Sequence, residues 1–378
     1  HGEPQEEVEQ RLIYDGFVVI SDPLSPDVYE SIRNCQSAGI EVKMLTGDNI
    51  RTARAIANEL HMLDENHIAV EASDIEKMTD EELKEALKKI QVIARSTPLV
   101  KMRVVKLLKE QGNVVAVTGD GINDAPAIKH ADVGIAMGIA GTDVTKEASD
   151  MVLLDDSFST IIKAVQWGRG IYENFKRFIQ FQLTVNVSSV VVVICSILAG
   201  FSAPFTALEL LWINIIMDGP PALTLGLEPI RPDLLKHKPT RRNENIISKK
   251  MLFRIFFNGI YISVIFMLQH FKNFLGAAPE EEATVLFTLF VLFQLFNAFN
   301  CRELDDTPMF KNLLKNKLML GVFLLVLILQ IIITQFGAAV FETVPLSVGM
   351  WGKMLLTAFT VIILNEVVKA VKRLFGRK

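Results

Sequence analysis

Cysteine is scarce in this chain. Its 378 residues hold three, Cys35, Cys195 and Cys301, far apart and odd in number. That pattern gives neither a disulfide framework nor the paired spacing of a zinc site. No signal peptide is visible either: the opening "HGEPQEEVEQ" is acidic and polar, without a basic start and a short apolar run. Internal repeats and low-complexity tracts are missing. The net charge of −4 singles out no class of partner, and no nucleic-acid partner is expected.

The second half lacks something more telling, which is charge. Hydrophobic residues make up 50% of the chain, at a mean hydropathy of +0.32, but the average hides two different halves. Residues 1–156 mix charged and apolar residues as a soluble α/β domain does, and residues 157–378 are dominated by long apolar runs. Six of these, near 178–200, 206–226, 252–275, 284–301, 317–337 and 350–370, are long enough at roughly 20 residues to cross a bilayer as helices. The alternative, core helices of a soluble protein, does not account for the charge asymmetry. The connections "GFSAPFT", "FKNFLGAAPEEEA" and "GAAVFETVPLSVG" contain no basic residue but Lys272. The connections between them, "EPIRPDLLKHKPTRRNENIISKK" and "CRELDDTPMFKNLLKNK", and the tail "KAVKRLFGRK" are rich in Lys and Arg. The positive-inside rule puts these basic segments and the soluble half in the cytoplasm. The expectation is a multi-pass membrane protein with six spans, a lipid bilayer as its surroundings and a cytoplasmic C-terminus.

In the soluble half, short β-branched runs alternate with helical patterns. "GFVVI", "EVKMLTG", "QVIARS", "NVVAVTGD" and "DVGIAM" read as strands. "SPDVYESIRNCQSAG", "NIRTARAIANEL", "TDEELKEALKKI" and "PLVKMRVVKLLKEQ" read as helices. The alternation predicts a parallel, doubly wound α/β sheet, whose ligands sit at the carboxyl ends of the strands. The polar motifs fall at those ends. "LTGDN" places Thr46, Gly47 and Asp48 after one strand, and "VTGDGINDAP" places Asp120, Asn123 and Asp124 after another. Lys101 opens the helix that follows "RSTP". A hydroxyl, a lysine and carboxylates converging on one edge suit phosphate with Mg²⁺. Lysine neutralises phosphate oxygens, and carboxylates hold a hard cation that keeps several waters. Singly, "TGD" is a common strand-ending turn and Lys101 an ordinary helix residue. The nine ordered positions of "TGDGINDAP" are far more specific. "GIAMGIAGT" looks like a nucleotide loop, but close packing is the better reading.

The stretch "LLWINIIMDGPPALTLG" sets Asp218 inside an apolar span, with Asn214 four residues before it and Gly219-Pro220-Pro221 after it. A charged Asp at the centre of a bilayer costs roughly 2.5–3.5 kcal/mol on insertion scales, so such a residue usually faces a bundle interior and marks an ion path. The alternative is a polar contact between helices. Asn214 and Asp218 share a helical face. The glycine and prolines interrupt the helix and can leave carbonyls free to line a cavity. An oxygen-only cluster suits Ca²⁺. Asn186, in "FQLTVNVSS" on the preceding span, is a possible further ligand. That span continues a helical pattern from "DSFSTIIKAVQWGRGIYENFKRF", so one rod of about 45 Å from Asp156 to Asn186 could join the two halves.

"TGDGINDAPAIKHADVGIAMG" resembles the hinge and Mg²⁺ motif of P-type cation-transporting ATPases, members of the haloacid dehalogenase superfamily. The likeness runs from about residue 8 to residue 370. It implies that Asp120 binds Mg²⁺ with support from Asp124. Asn123 and Asp124 would position the phosphate, while Thr46, Gly47 and Asp48 bind the phosphoryl group. Lys101 would bridge to the transferring phosphate, with Arg95 beside it toward ATP. Departures are as clear. The nucleophile motif "DKTGT", the actuator motif "TGE" and the broken-helix motif "PEGLP" do not occur, and there is no room for a nucleotide-binding domain. Ser25, in "DPLSPDV", stands where the family pattern "DPPRPEV" has Arg. The expectation is the C-terminal portion of a pump, completed by a missing N-terminal part. "QFQLTVNV", "LLWINIIMD" and "FQLFNAFNCREL" resemble plasma-membrane-type Ca²⁺ pumps most. Two-site pumps carry Glu, Thr and Glu where Ser189, Met217 and Gln294 stand, which implies a single transported Ca²⁺. The short tail suggests a bacterial or otherwise regulated relative. The rivals are a pump for Mn²⁺ or Na⁺, and a membrane partner without turnover.

Overall fold

The computed structural model describes residues 15–16, 24–201 and 203–375, and the chain divides into two compact units: residues 1–111 with 115–162, and residues 112–114 with 163–378. Most of the expected strand "GFVVI" lies outside the described residues.

The first unit alternates strands β1 (Met44–Leu45), β2 (Ile68–Glu71), β3 (Ile90–Ala94), β4 (Ala116–Gly119), β5 (Val133–Met137) and β6 (Met151–Leu153) with helices. Helix starts are set by local chemistry. The Asn49 side chain accepts from the Arg51 and Thr52 amides to begin Ile50–Glu59. Thr79 and Glu82 form a reciprocal capping box before Asp80–Ala86, and Thr97 caps Pro98–Glu110 with proline in its first turn. β3 is buried along its whole length. Ile90 and Ile93 pack with Ile75, Leu83, Leu87, Val104 and Leu107, while Val92 and Ala94 pack with Ala53, Ala57 and Leu60. A strand covered by helices on both faces is the mark of a doubly wound layer. All strand pairs are parallel. Among the described residues they form two three-stranded sheets, β1-β3-β2 and β4-β5-β6, and not one continuous sheet. β1 and β4 are edge strands, because no described strand pairs with their outer sides. β2 and β6 were not expected from the sequence.

In the second unit, helices Phe158–Leu198, Lys249–Lys272, Glu282–Cys301, Lys317–Phe336 and Val348–Phe375 are long and apolar enough to cross a membrane. The first has 41 residues, about 60 Å at 1.5 Å per residue. Glu282–Cys301 is almost wholly enclosed by the others, and Phe287, Phe290 and Phe293 on it have no exposure. The remaining spans keep apolar residues such as Ile260, Leu325 and Ile363 on their outer faces, as lipid contact requires. The sixth expected span, near 206–226, is helical but interrupted. Ala207–Trp212 passes into a π-helical turn, Ile213–Asp218, and then into helix Gly219–Gly226. Among the described residues the count of uninterrupted helices long and apolar enough to cross a membrane is therefore five. Pro220 and Pro221 explain the interruption, since neither donates a backbone hydrogen bond and both crowd the carbonyls of the preceding turn.

A buried ion pair ties three segments of this unit together. Arg302 and Glu228, 1% and 3% exposed, meet in two contacts, Nη2 to Oε1 at 2.7 Å and Nε to Oε2 at 3.1 Å. Arg302 also donates to the carbonyls of Asn312 and Leu313, and the Asn316 amide donates to Glu228 Oε2. Such a pair adds little over a well-packed apolar replacement, but removal of one partner leaves a stranded charge. Arg302→Met should therefore destabilise the chain by about 3–5 kcal/mol, and Arg302→Met with Glu228→Met by less. Denaturation in detergent of the three proteins checks this. Costs that simply add across the two sites would contradict it.

Candidate functional site

In the first unit, the carboxyl ends of β1, β3 and β4 carry the polar motifs. The turn after β1 is tied to the turn after β3, because Arg95 N donates to Asp48 O at 2.9 Å and Ser96 N to Thr46 O at 2.8 Å. Arg95 adopts φ +50°, a left-handed conformation that is uncommon for a long side chain, and its side chain is exposed. Thr46 Oγ1 accepts from the Asp48 amide at 3.1 Å, so its hydroxyl orders the turn. The space beside Gly47 is open, with no heavy atom within 4 Å of where a Cβ would stand. Lys101 reaches across to Asp124 at 2.6 Å, and Asp124 Oδ2 also accepts from the Gly121 amide. Gly119 is required here: a Cβ on it would lie 2.5 Å from the Asp124 side chain. Asp48, Asp120 and Asn123 are exposed.

The residues thus divide into two kinds. Thr46, Lys101 and Asp124 are already engaged with protein partners, while Asp120 offers a carboxylate that no described residue hydrogen-bonds. Asp48, exposed at the end of β1, likewise has a carboxylate that no described residue hydrogen-bonds. Free carboxylates at strand ends fit Mg²⁺, which takes one or two of them and completes its shell with water and phosphate. No cluster of three or more His, Cys, Asp or Glu side chains placed to hold a metal ion occurs among the described residues. Fitting ligands in this unit would be Asp120, with Asp124 behind it.

The loop in "GIAMGIAGT" is closed to anions by the chain itself. Asp156, at φ +48°, accepts the amides of Gly138 at 2.6 Å, Ile139 at 3.1 Å and Ala140 at 2.7 Å. Burial pushes its carboxyl up, but the Ala140, Ile139 and Gly138 amides outweigh this and hold it below the ordinary carboxylate range. Sequence reading did not single out Asp156. A group depressed in the folded state stabilises above its unfolded value and loses that contribution as pH falls through the folded value. The stability gap between the wild type and Asp156→Ala should therefore be widest near neutrality and narrow below about pH 4. Thermal unfolding of both proteins across this range checks it. A gap independent of pH would contradict the assignment.

In the second unit, Asp218 ends the π-helical turn and is 1% exposed. Its Oδ2 accepts from Gln182 Nε2 on helix Phe158–Leu198, and its Oδ1 is buried with no partner. Asn214 is exposed, and its amide donates to Leu210 O at 2.7 Å. Asn186 is exposed as well. The side chain that meets Asp218 is thus Gln182, and neither asparagine is bonded to it. Gln182 lay within "QFQLTVNV" but was not singled out. The available signal was its place four residues before Asn186. Ser189 donates to its own helix at Val185 O, Met217 is fully buried, and Gln294 donates to Ser188 Oγ at 2.6 Å.

Comparison with known proteins bears on both units. Residues 1–132 match the model of haloacid dehalogenase-like hydrolases, and residues 202–371 match that of the cation-transporting ATPase C-terminus. Calcium-transporting ATPase 12, plasma membrane-type, of Arabidopsis thaliana is 41% identical over 351 residues, 91% of this chain and 34% of that protein. Calcium-transporting ATPase 2, plasma membrane-type, of the same plant is 44% identical over 343 residues, 89% of this chain and 34% of that protein. Probable calcium-transporting ATPase 6, plasma membrane-type, of Oryza sativa subsp. japonica is 40% identical over 381 residues, 98% of this chain and 37% of that protein. The chain spans about a third of the length of these relatives. Its homologues at about 40% identity over most of the chain are therefore plasma-membrane-type calcium-transporting ATPases, and its two halves match the two family models named above.

Proposed function

We propose that this chain is the C-terminal portion of an ATP-driven Ca²⁺ pump. Residues 1–156 are its part of the phosphorylation domain, and residues 157–378 are a stalk and membrane domain. The observation that carries the reading is Asp218, a buried carboxylate with an unpartnered oxygen in an interrupted helix of an apolar unit. In this reading the pump transfers phosphate from ATP to an Asp supplied outside these residues and exports Ca²⁺ from the cytoplasm, across a cell membrane with the basic connections inside. Lys101 neutralises the transferring phosphate once it leaves Asp124, and the turn at Thr46, Gly47 and Asp48 holds the phosphoryl group. Asp120 holds Mg²⁺, whose chemistry is charge neutralisation at the phosphoryl oxygens. Arg95 lies toward the nucleotide.

Two measurements on the complete pump test the two ends of this reading. Asp120→Asn should impair phosphorylation by both ATP and inorganic phosphate, since one charge is lost from the metal's shell. Normal turnover with unchanged Mg²⁺ dependence would count against it. Asp218→Asn should abolish Ca²⁺ transport and Ca²⁺-dependent phosphorylation from ATP while largely sparing phosphorylation from inorganic phosphate. About one Ca²⁺ should be occluded per phosphorylation site, because Ser189, Met217 and Gln294 add no anionic ligand and a thioether serves a hard cation poorly. A ratio near two, or a pump stimulated by Mn²⁺ or Na⁺ in place of Ca²⁺, would overturn this assignment.

A further inference from the structure

Asp218 and Gln182 share an unusual state. The Gln182 amide nitrogen donates to Asp218 Oδ2, yet Gln182 Oε1 and Asp218 Oδ1 are both buried without a hydrogen-bond partner. An unpaired buried acceptor costs about 1–3 kcal/mol, and here two flank one hydrogen bond. The protein supplies no donor to either. Next to Asp218 along the chain, Met217 presents only a thioether, and Pro220 and Pro221 have no backbone hydrogen to give. Two oxygens with no donor, one of them on a carboxylate, suit a ligand that accepts electron pairs and donates none. A hard cation is such a ligand.

We infer that Gln182 is a direct contact of the transported cation, exchanging its hydrogen bond to Asp218 for coordination of the ion through Oε1. An amide carries a donor and an acceptor on one carbon, so rotation of its terminal bond swaps which of them faces the carboxylate. With no ion bound, the N–H end stands in for the cation's positive charge at Asp218. With an ion bound, the oxygen end joins Asp218 in holding it. Gln182 adds an oxygen without adding charge, so the site gains a ligand and keeps a single carboxylate from this chain. It also brings a second helix, Phe158–Leu198, into the shell. The inference rests on the pump reading given above.

The test compares Gln182→Met with Gln182→Glu in the complete pump, by the Ca²⁺ concentration for half-maximal phosphorylation from ATP. Phosphorylation from inorganic phosphate, which needs no Ca²⁺, reports folded protein. Methionine keeps the length and loses the oxygen, so the half-maximal Ca²⁺ concentration should rise by about tenfold or more. Glutamate restores an oxygen but cannot donate to Asp218 when ionised. If Oε1 is a ligand, Gln182→Glu should bind Ca²⁺ better than Gln182→Met. If Gln182 served only to donate to Asp218, the glutamate would repel it and be the worse of the two. The inference is overturned if Gln182→Glu is no better than Gln182→Met, or if Gln182→Met shifts the midpoint by less than about twofold. Should Gln182→Met fail to form phosphoenzyme from inorganic phosphate, Gln182→Glu decides alone: a midpoint within about threefold of wild type supports the contact, and a larger rise overturns it. Asp218→Asn separates the two readings. If it leaves Ca²⁺ dependence intact, the pump assignment fails; if it abolishes that dependence while Gln182→Met is silent, only the Gln182 contact fails.

Discussion

A carboxylate removed from water must find other partners, and Asp218 is where that constraint bears hardest on this protein. In an apolar surround no bulk solvent repairs an unmet hydrogen bond or an unpaired charge. The nearby sequence meets the demand by breaking regularity. The π-helical turn Ile213–Asp218 ahead of Pro220 and Pro221 gives up part of the helical ladder and turns the carboxylate inward against the Gln182 amide. The surrounding framework is correspondingly stiff. Helix Glu282–Cys301 is enclosed on nearly all sides, and the Arg302–Glu228 pair is saturated with hydrogen bonds. A site with unmatched oxygens stays open only if its neighbours have no slack with which to close over it.

The soluble unit handles its polar groups in the opposite way. At the strand ends Asp48, Asp120 and Asn123 face solvent, where an unbound carboxylate costs nothing. The groups needing a fixed position are held by others: Lys101 by Asp124, and the loop after β5 by Asp156. Exposed and poised groups thus lie side by side, an arrangement suited to a ligand that arrives with its own charge and metal.

Much of this was legible in the sequence, for reasons that can be named. β1 and β4 declare themselves because their apolar runs end in glycine and aspartate, and β3 and β5 because theirs are bounded by "RSTP" and by glycine. Helices at Ile50, Asp80 and Pro98 announce their starts through Asn49, Thr79 and Thr97. β2, in "IAVE", and β6, in "MVL", are too short for a period-two pattern to stand out. The split into two sheets was also hidden, since strand runs do not reveal which of their edges find partners. In the membrane half, hydropathy marked every long helix, and Gly219-Pro220-Pro221 marked the interruption. It did not show that the irregular turn precedes the prolines. Nor could spacing along one helix reveal that Asp218 meets Gln182 across a helix pair, while Asn214 bonds back to Leu210. Asp156 escaped notice because its role depends on a left-handed backbone that no short motif encodes.

The interrupted helix also bears on how the protein is made. Ala207–Trp212, the π-helical turn and Gly219–Gly226 run on without a gap, but the turn in their middle carries a carboxylate. Such a segment has little apolar surplus to offset the roughly 2.5–3.5 kcal/mol that an aspartate adds on entering lipid. Phe158–Leu198 emerges before the interrupted segment, and only residues 199–206 lie between the two. Its Gln182 is therefore in place to mask Asp218 as soon as that residue follows. The two helices would then enter the membrane as a hairpin, with the Gln182 amide covering the charge beside it.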